Sequence, residues 1–98
     1  MLYLISYDIE NDRLRTKVAK TLEKAQLQRI QYSVFLGEVS EKNLKDISIR
    51  IEKIRSEASD FNVICIPLHQ PVIDTIFEIG DQPIDWAYFK GEKDFLII

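Results

Sequence analysis

The chain has 98 residues, of which 46% are hydrophobic and 30% charged, with three Gly, three Pro and a formal net charge of -3. That length supports one domain able to fold alone, and the composition excludes a disordered or collagen-like chain. No apolar run approaches the ~18 residues that a membrane span requires, and the N-terminus lacks a basic region and a small-residue cleavage site, so a cytoplasmic protein without a membrane partner is expected.

The first predicted element is a strand over Leu2–Tyr7, a nearly unbroken apolar run that stops on Asp8. Such a run fits a strand buried on both faces, and its last residue emerges at the sheet edge. Asp8 is therefore a candidate site residue as well as a candidate turn residue. Glu10, Asn11 and Asp12 follow, and then the charge changes sign. Between residues 13 and 29 six cations, Arg13, Arg15, Lys17, Lys20, Lys24 and Arg29, face Glu23 alone, a local +5 that leaves -8 for the remainder. Asymmetry of this kind points to an anionic partner in spite of the acidic whole.

Asn11 or Asp12 caps a predicted helix running to about Gln26, with Leu14, Val18, Leu22 and Ala25 as its apolar stripe. At ~100° per residue Arg13, Lys17, Lys20 and Lys24 fall within ~60° of one another, forming a basic ridge suited to phosphate contact or simply to solvation. Arg15 projects beside the apolar stripe and is expected to lean back over the sheet end. Arg29–Val39 reads as a second strand, with Ile30, Tyr32, Val34 and Leu36 on one face and Gln31, Ser33, Phe35 and Gly37 on the other. Ser40 caps a second helix through about Ala58, whose Leu44, Ile47, Ile51, Ile54 and Ala58 keep helical spacing and whose outer face reads as solvated charge.

Phe61–Leu68 is a third strand, apolar on both faces. Cys65 lies within it, so no intrachain disulfide forms and a buried structural thiol is expected; His69 alone makes no zinc cluster with it. Pro71–Asp74 fits a short helical turn and Thr75–Ile79 a fourth strand. The order is strand-helix-strand-helix-strand-strand as plainly read, or strand-helix-strand-strand-helix-strand if the element near Pro71 is the second crossover. No repeat, linker or low-complexity segment interrupts residues 1–98, which read as a single α+β domain. The pattern suits a ferredoxin-like sandwich, an antiparallel sheet with two helices on one face. The other face, with Phe35 and Tyr3 or Tyr7 assigned to it, then needs a cover, and a second copy is the economical one. The tail, about 84–98, ends in the strand-like Asp94–Ile98 and is expected to add to a sheet edge, that of a partner protomer included.

Paired Asp8 carboxylates near a two-fold axis fit Mg²⁺, which takes one or two carboxylates and completes its shell with water and phosphate. Such a site activates water for attack on a phosphodiester. Arg15 and Arg29, near the sheet end or flanking the second strand, are candidates to pair with Asp8 or Glu10 or to clamp a phosphate, and Phe35 to stack a base or pack an interface. No phosphate-cradling Gly loop, nucleophile motif or two-His spacing is present.

Three stretches, Tyr7-Asp8-Ile9, Asp12-Arg13-Leu14-Arg15-Thr16-Lys17-Val18 and Arg29-Ile30-Gln31-Tyr32-Ser33-Val34-Phe35, together resemble the small CRISPR-associated spacer-acquisition family, Cas2. The resemblance covers most of the chain and is weaker beyond residue 70. It implies a ferredoxin-like homodimer with a C-terminal strand crossing to the partner. It also implies a metal-dependent endonuclease acting on single-stranded RNA or double-stranded DNA, with one Mg²⁺ per dimer held by both copies of Asp8. Tyr7, Arg15, Lys17, Arg29 and Phe35 fall at positions tied to activity in relatives. The family is similar, too, in serving as a non-catalytic bridge that carries a DNA duplex between CRISPR integrase dimers in spacer acquisition and antiviral defence. Gln26 stands where relatives commonly have glycine, Leu36 replaces an acidic residue, and Lys17 stands where some relatives have arginine, keeping the charge but losing a bidentate fork. A third reading is a regulatory or scaffold domain that binds no nucleic acid.

Overall fold

A computed structural model describes residues 1–56 and 58–93. Its four-stranded antiparallel sheet has the order β2-β3-β1-β4, built from β1 (Leu2–Ile9), β2 (Gln28–Gln31), β3 (Val34–Glu38) and β4 (Phe61–Leu68). The helices are α1 (Asp12–Lys24), α2 (Glu41–Arg55) and two short ones, α3 (Gln70–Ile73) and α4 (Trp86–Phe89). This is the ferredoxin-like α+β arrangement, reached through the order strand-helix-strand-strand-helix-strand.

Two corrections to the sequence-based element order explain how. The expected single strand Arg29–Val39 is a hairpin that reverses at Tyr32-Ser33, with a register shift between Arg29 and Gln31. The expected strand Thr75–Ile79 does not form: Thr75 belongs to a turn and residues 76–79 join no ladder. The second crossover is α2, and the short helix near Pro71 follows the last strand of the sheet.

Alternation along β1 divides the core in two. Ile5, Tyr7 and Ile9, with Tyr3 beside them, pack with Leu14, Val18 and Leu22 of α1 and Ile47 and Ile51 of α2. Leu2 and Leu4 point to the opposite face, where Leu36 and Leu68 join Ile73, Ile76, Ile84, Trp86, Tyr88 and Phe89. The face without the long helices is thus covered over part of its area by residues 73–89 of the same chain. Asp85 caps α4 by accepting from the Tyr88 N–H at 3.3 Å, and Glu78 accepts from Trp86 Nε1 at 2.6 Å and the Ile84 N–H at 2.9 Å. The expected strand-like end Asp94–Ile98 lies outside the described residues.

Phe35, Tyr3 and Tyr7 do not lie on the open face, contrary to expectation. Phe35 is 0% exposed in the helix-side core, where its ring stacks with Tyr7 at 6.2 Å between centroids. Nor is Cys65 buried: it is exposed on β4, whose one hydrogen-bonded neighbour among the described residues is β1. Its thiol pKa is still raised, by partial desolvation. β4 is an edge strand, which also accommodates Pro67.

The helix ends carry the local signals that the sequence promised. Asn11 caps α1, its side chain accepting from the Leu14 N–H at 3.0 Å, and Ser40 caps α2 through the Asn43 N–H at 3.2 Å. α1 closes in a Schellman motif: Gln26 N–H donates to the Glu23 carbonyl at 2.9 Å and Leu27 N–H to that of Leu22 at 3.1 Å. Gln26 therefore sits in the left-handed region, at φ 69°. A side chain there costs about 1–2 kcal/mol, against roughly 0.5–1 kcal/mol for the extra entropy that glycine loses. Gln26→Gly is expected to stabilise the fold by about 0.5–1 kcal/mol in urea denaturation; a loss of stability would contradict this account of the turn.

Candidate metal and nucleic-acid site

Asp8 is the penultimate residue of β1, exposed, and opposite Asn62 of β4 in the ladder. By alternation it shares the open face with Leu2, Leu4 and Ser6, and with Ile64 and Ile66 of β4, which are 60% and 43% exposed. Among the described residues no hydrogen bond or ion pair engages its carboxylate, and no group of three or more His, Cys, Asp or Glu gathers anywhere as a metal site. Asp8 offers an accessible hard oxygen ligand, which suits Mg²⁺ in donor type.

The other candidate catalytic residues gather on the opposite side of the sheet. Tyr7, Arg15 and Arg29, with Asp12, Lys20 and Tyr32, line a cavity of about 400 Å³ beside α1 and the hairpin turn. Arg15 leans back over the sheet end as expected, but its partners are not Asp8 or the Glu10 carboxylate. Its Nη1 donates to the Ile9 carbonyl at 2.8 Å and its Nη2 pairs with Asp12, while its guanidinium lies 5.9 Å from the Tyr32 ring centroid. Arg15 thereby braces the turn that follows Asp8. Arg29 sits over the Phe35 ring at 5.1 Å, so Phe35 serves as the buried base of that guanidinium and offers no open ring to a nucleobase.

The Tyr7 hydroxyl pKa is raised above its ordinary value, first by desolvation, with Arg29 and Arg15 pulling the other way. Tyr7 is therefore a neutral hydrogen-bond donor at neutral pH and not a base. Two arginines and two phenols suit the binding of a phosphate or sugar edge. Tyr32, 71% exposed on the hairpin turn, was not singled out from sequence as a site residue. Its signal is positional: only the hairpin brings it beside Arg15.

Lys17, Lys20 and Lys24 are exposed along α1 and line a groove shared with α2. Arg13 is exposed on the same helix but does not line that groove. The expected ridge is therefore three lysines beside a second helix, on the side of the sheet away from Asp8.

A family model described as CRISPR associated protein Cas2 matches residues 1–76. A protein from Archaeoglobus fulgidus named CRISPR-associated endoribonuclease Cas2 1 is 35% identical over 91 residues, which cover 93% of this chain and 96% of the relative. Among solved structures, the hypothetical protein TT1823 from Thermus thermophilus superposes with a TM-score of 0.71 at 26% identity, over 85% of this chain and 94% of that one. Streptococcus pyogenes Cas2 superposes with a TM-score of 0.69 at 25% identity, over 82% of this chain and 100% of that one. Extended matches in sequence, joined to the same sheet and helix arrangement, place this chain in the CRISPR-associated protein Cas2 family.

Proposed function

We propose that this chain acts in CRISPR adaptation as a homodimeric, Mg²⁺-dependent endonuclease that cleaves the phosphodiester bonds of single-stranded RNA or double-stranded DNA. The observation that carries the reading is the company Asp8 keeps. Its accessible carboxylate shares one sheet face with Ile64 and Ile66, an apolar strip left uncovered beside the free edge of β4. Phe77 and Ile79, 83% and 93% exposed, add further apolar area on the segment that joins no strand. Solvated apolar surface of this kind favours a second copy, and a two-fold axis near β4 would bring a second Asp8 to the first. The C-terminal end of each copy would add to the partner's free edge.

In that dimer both copies of Asp8 would hold one Mg²⁺, which when bound supplies Lewis acidity and a more acidic water. The chain's own residues do the remaining work. Arg15 holds the β1–α1 turn through the Ile9 carbonyl and so fixes the end of the strand that bears Asp8. Arg29 and the neutral Tyr7 hydroxyl offer donors to phosphate oxygens at the same end of the sheet. Lys17, Lys20 and Lys24 attract the polyanion.

A second reading, a non-catalytic adaptor that bridges DNA for the CRISPR integrase, is favoured by one observation: the three lysines lie in the helix layer, across the sheet from Asp8. The two readings part on Asp8. Under the nuclease reading, Asp8→Asn abolishes cleavage of RNA and DNA substrates in Mg²⁺ while sedimentation still reports a dimer; cleavage at the parent rate would refute it. Under the adaptor reading, integration in a reconstituted system survives Asp8→Asn and is lost when Lys17, Lys20 and Lys24 are all changed to Glu.

The dimer has its own test. Ile64→Asp together with Ile66→Asp buries charge in the proposed interface and is expected to weaken dimerisation by at least about 2–3 kcal/mol, read by sedimentation equilibrium, with cleavage falling in step. A double variant that stays dimeric at parent affinity would move the interface elsewhere.

A further inference from the structure

The outer face of α2 reads from sequence as solvated charge, yet its middle stands across from the lysines of α1. Arg50 and Lys53 line the same groove of about 960 Å³ as Lys17, Lys20 and Lys24, and Asp46 is its one carboxylate. All six side chains are exposed. Five cations against one anion make the groove +4 in a chain of net charge -3, so everything outside it carries -7. Among the described residues Lys20, Lys24, Arg50 and Lys53 have no ion-pair partner within 4.0 Å.

On this basis we infer that the α1–α2 groove is a track for a phosphodiester backbone, with Arg50 and Lys53 of α2 as its second wall. The inference rests on the nucleic-acid reading above and extends it to a helix that reading leaves idle. Dimensions suit it. Lys17 to Lys24 spans about 10 Å along the helix axis, and packed helices lie about 8–10 Å apart, so the cations form two rows flanking a channel. At ~3.4 Å of axial rise per phosphate, that length meets about three successive phosphates of one strand. Arg50 offers a planar fork to phosphate oxygens, whereas the lysines act as point charges. The groove contains no aromatic ring, so it reads charge and spacing and carries no base readout.

The test is binding measured by fluorescence anisotropy in EDTA, so that cleavage does not intervene, over a salt series with single- and double-stranded RNA and DNA of one length. Arg50→Ala/Lys53→Ala is expected to weaken binding about ten-fold at physiological salt and to lower the slope of log K against log salt by about 1.8 on duplex DNA or about 1.4 on a single strand, which is about 0.9 or 0.7 per lost phosphate contact. Lys42→Ala/Lys45→Ala, the same change in charge on the same helix outside the groove, is expected to leave both nearly unchanged. Whichever of the four probes loses the most affinity in that variant identifies the form of nucleic acid held. Parent affinity and slope in the Arg50/Lys53 variant overturn the inference, as does an equal loss in the Lys42/Lys45 control. Groove-dependent binding of poly-glutamate without groove-dependent binding of nucleic acid also overturns it, and assigns the surface to an acidic protein. Arg50→Gln/Lys53→Gln repeats the test should the alanine variant fold poorly by circular dichroism. Cleavage lost in Asp8→Asn with binding unchanged in the groove variant would sink the track and leave the nuclease reading intact.

Discussion

The strict alternation of β1 is the constraint on which the rest of the molecule depends. As one of the two inner strands, paired on both sides, it has no freedom to slip by one residue without turning its whole side-chain set over. Tyr3, Ile5, Tyr7 and Ile9 are committed to the helices, which leaves Leu2, Leu4, Ser6 and Asp8 on the other face. Adjacent residues Tyr7 and Asp8, the closing pair of the strand, are thereby sent to opposite sides of the sheet. The first anchors a pocket of arginines and the second stands alone on the open face.

That division shapes what the protein can do with a polyanion. The cations of α1 and α2, and the pocket holding Arg15 and Arg29, lie on the helix side, while the accessible carboxylate lies on the other. Separation of this sort keeps Asp8 from neutralising those cations and allows the acidic remainder to carry solubility. A backbone bound along the helices reaches Asp8 only around the end of the sheet, where Arg15 ties the β1–α1 turn to the Ile9 carbonyl. In the proposed dimer the open face closes on itself, so the carboxylates meet at the junction of two copies while each copy's groove stays on the outside.

Much of this was legible in the sequence because helix signals are local. The caps at Asn11 and Ser40 and the stripes of α1 and α2 follow from residues a few positions apart, and they stand as expected. The hairpin was hidden because Tyr32-Ser33 lacks the Gly, Asn or Asp that marks most tight turns, so Arg29–Val39 reads as one strand. The expected face of Ile30, Tyr32, Val34 and Leu36 loses Tyr32, which the turn carries beside Arg15 on the helix side. Ile30, Val34 and Leu36 stay apart from Phe35 and Gly37, and that set lies away from α1 and α2, opposite to expectation. It belongs to the open face, which is apolar because residues 73–89 return to cover part of it. Thr75–Ile79 has strand-like composition, yet Ile76 packs against the sheet face and residues 76–79 join no ladder. Long-range covering of this kind leaves no periodic trace in the segment that does the covering. The role of α2 was missed for a similar reason: Arg50 and Lys53 look like ordinary solvated charge until α1 is set beside them.

The central claim is that one site is completed by Asp8 from two copies, and mixed dimers test it most directly. Parent and Asp8→Asn protein are unfolded together, refolded to randomise their pairing, and assayed for cleavage at constant total concentration. Cleavage that falls as the square of the parent fraction is the predicted result, since only dimers with both carboxylates cut. A linear fall would show that each copy works by itself and would contradict the shared site.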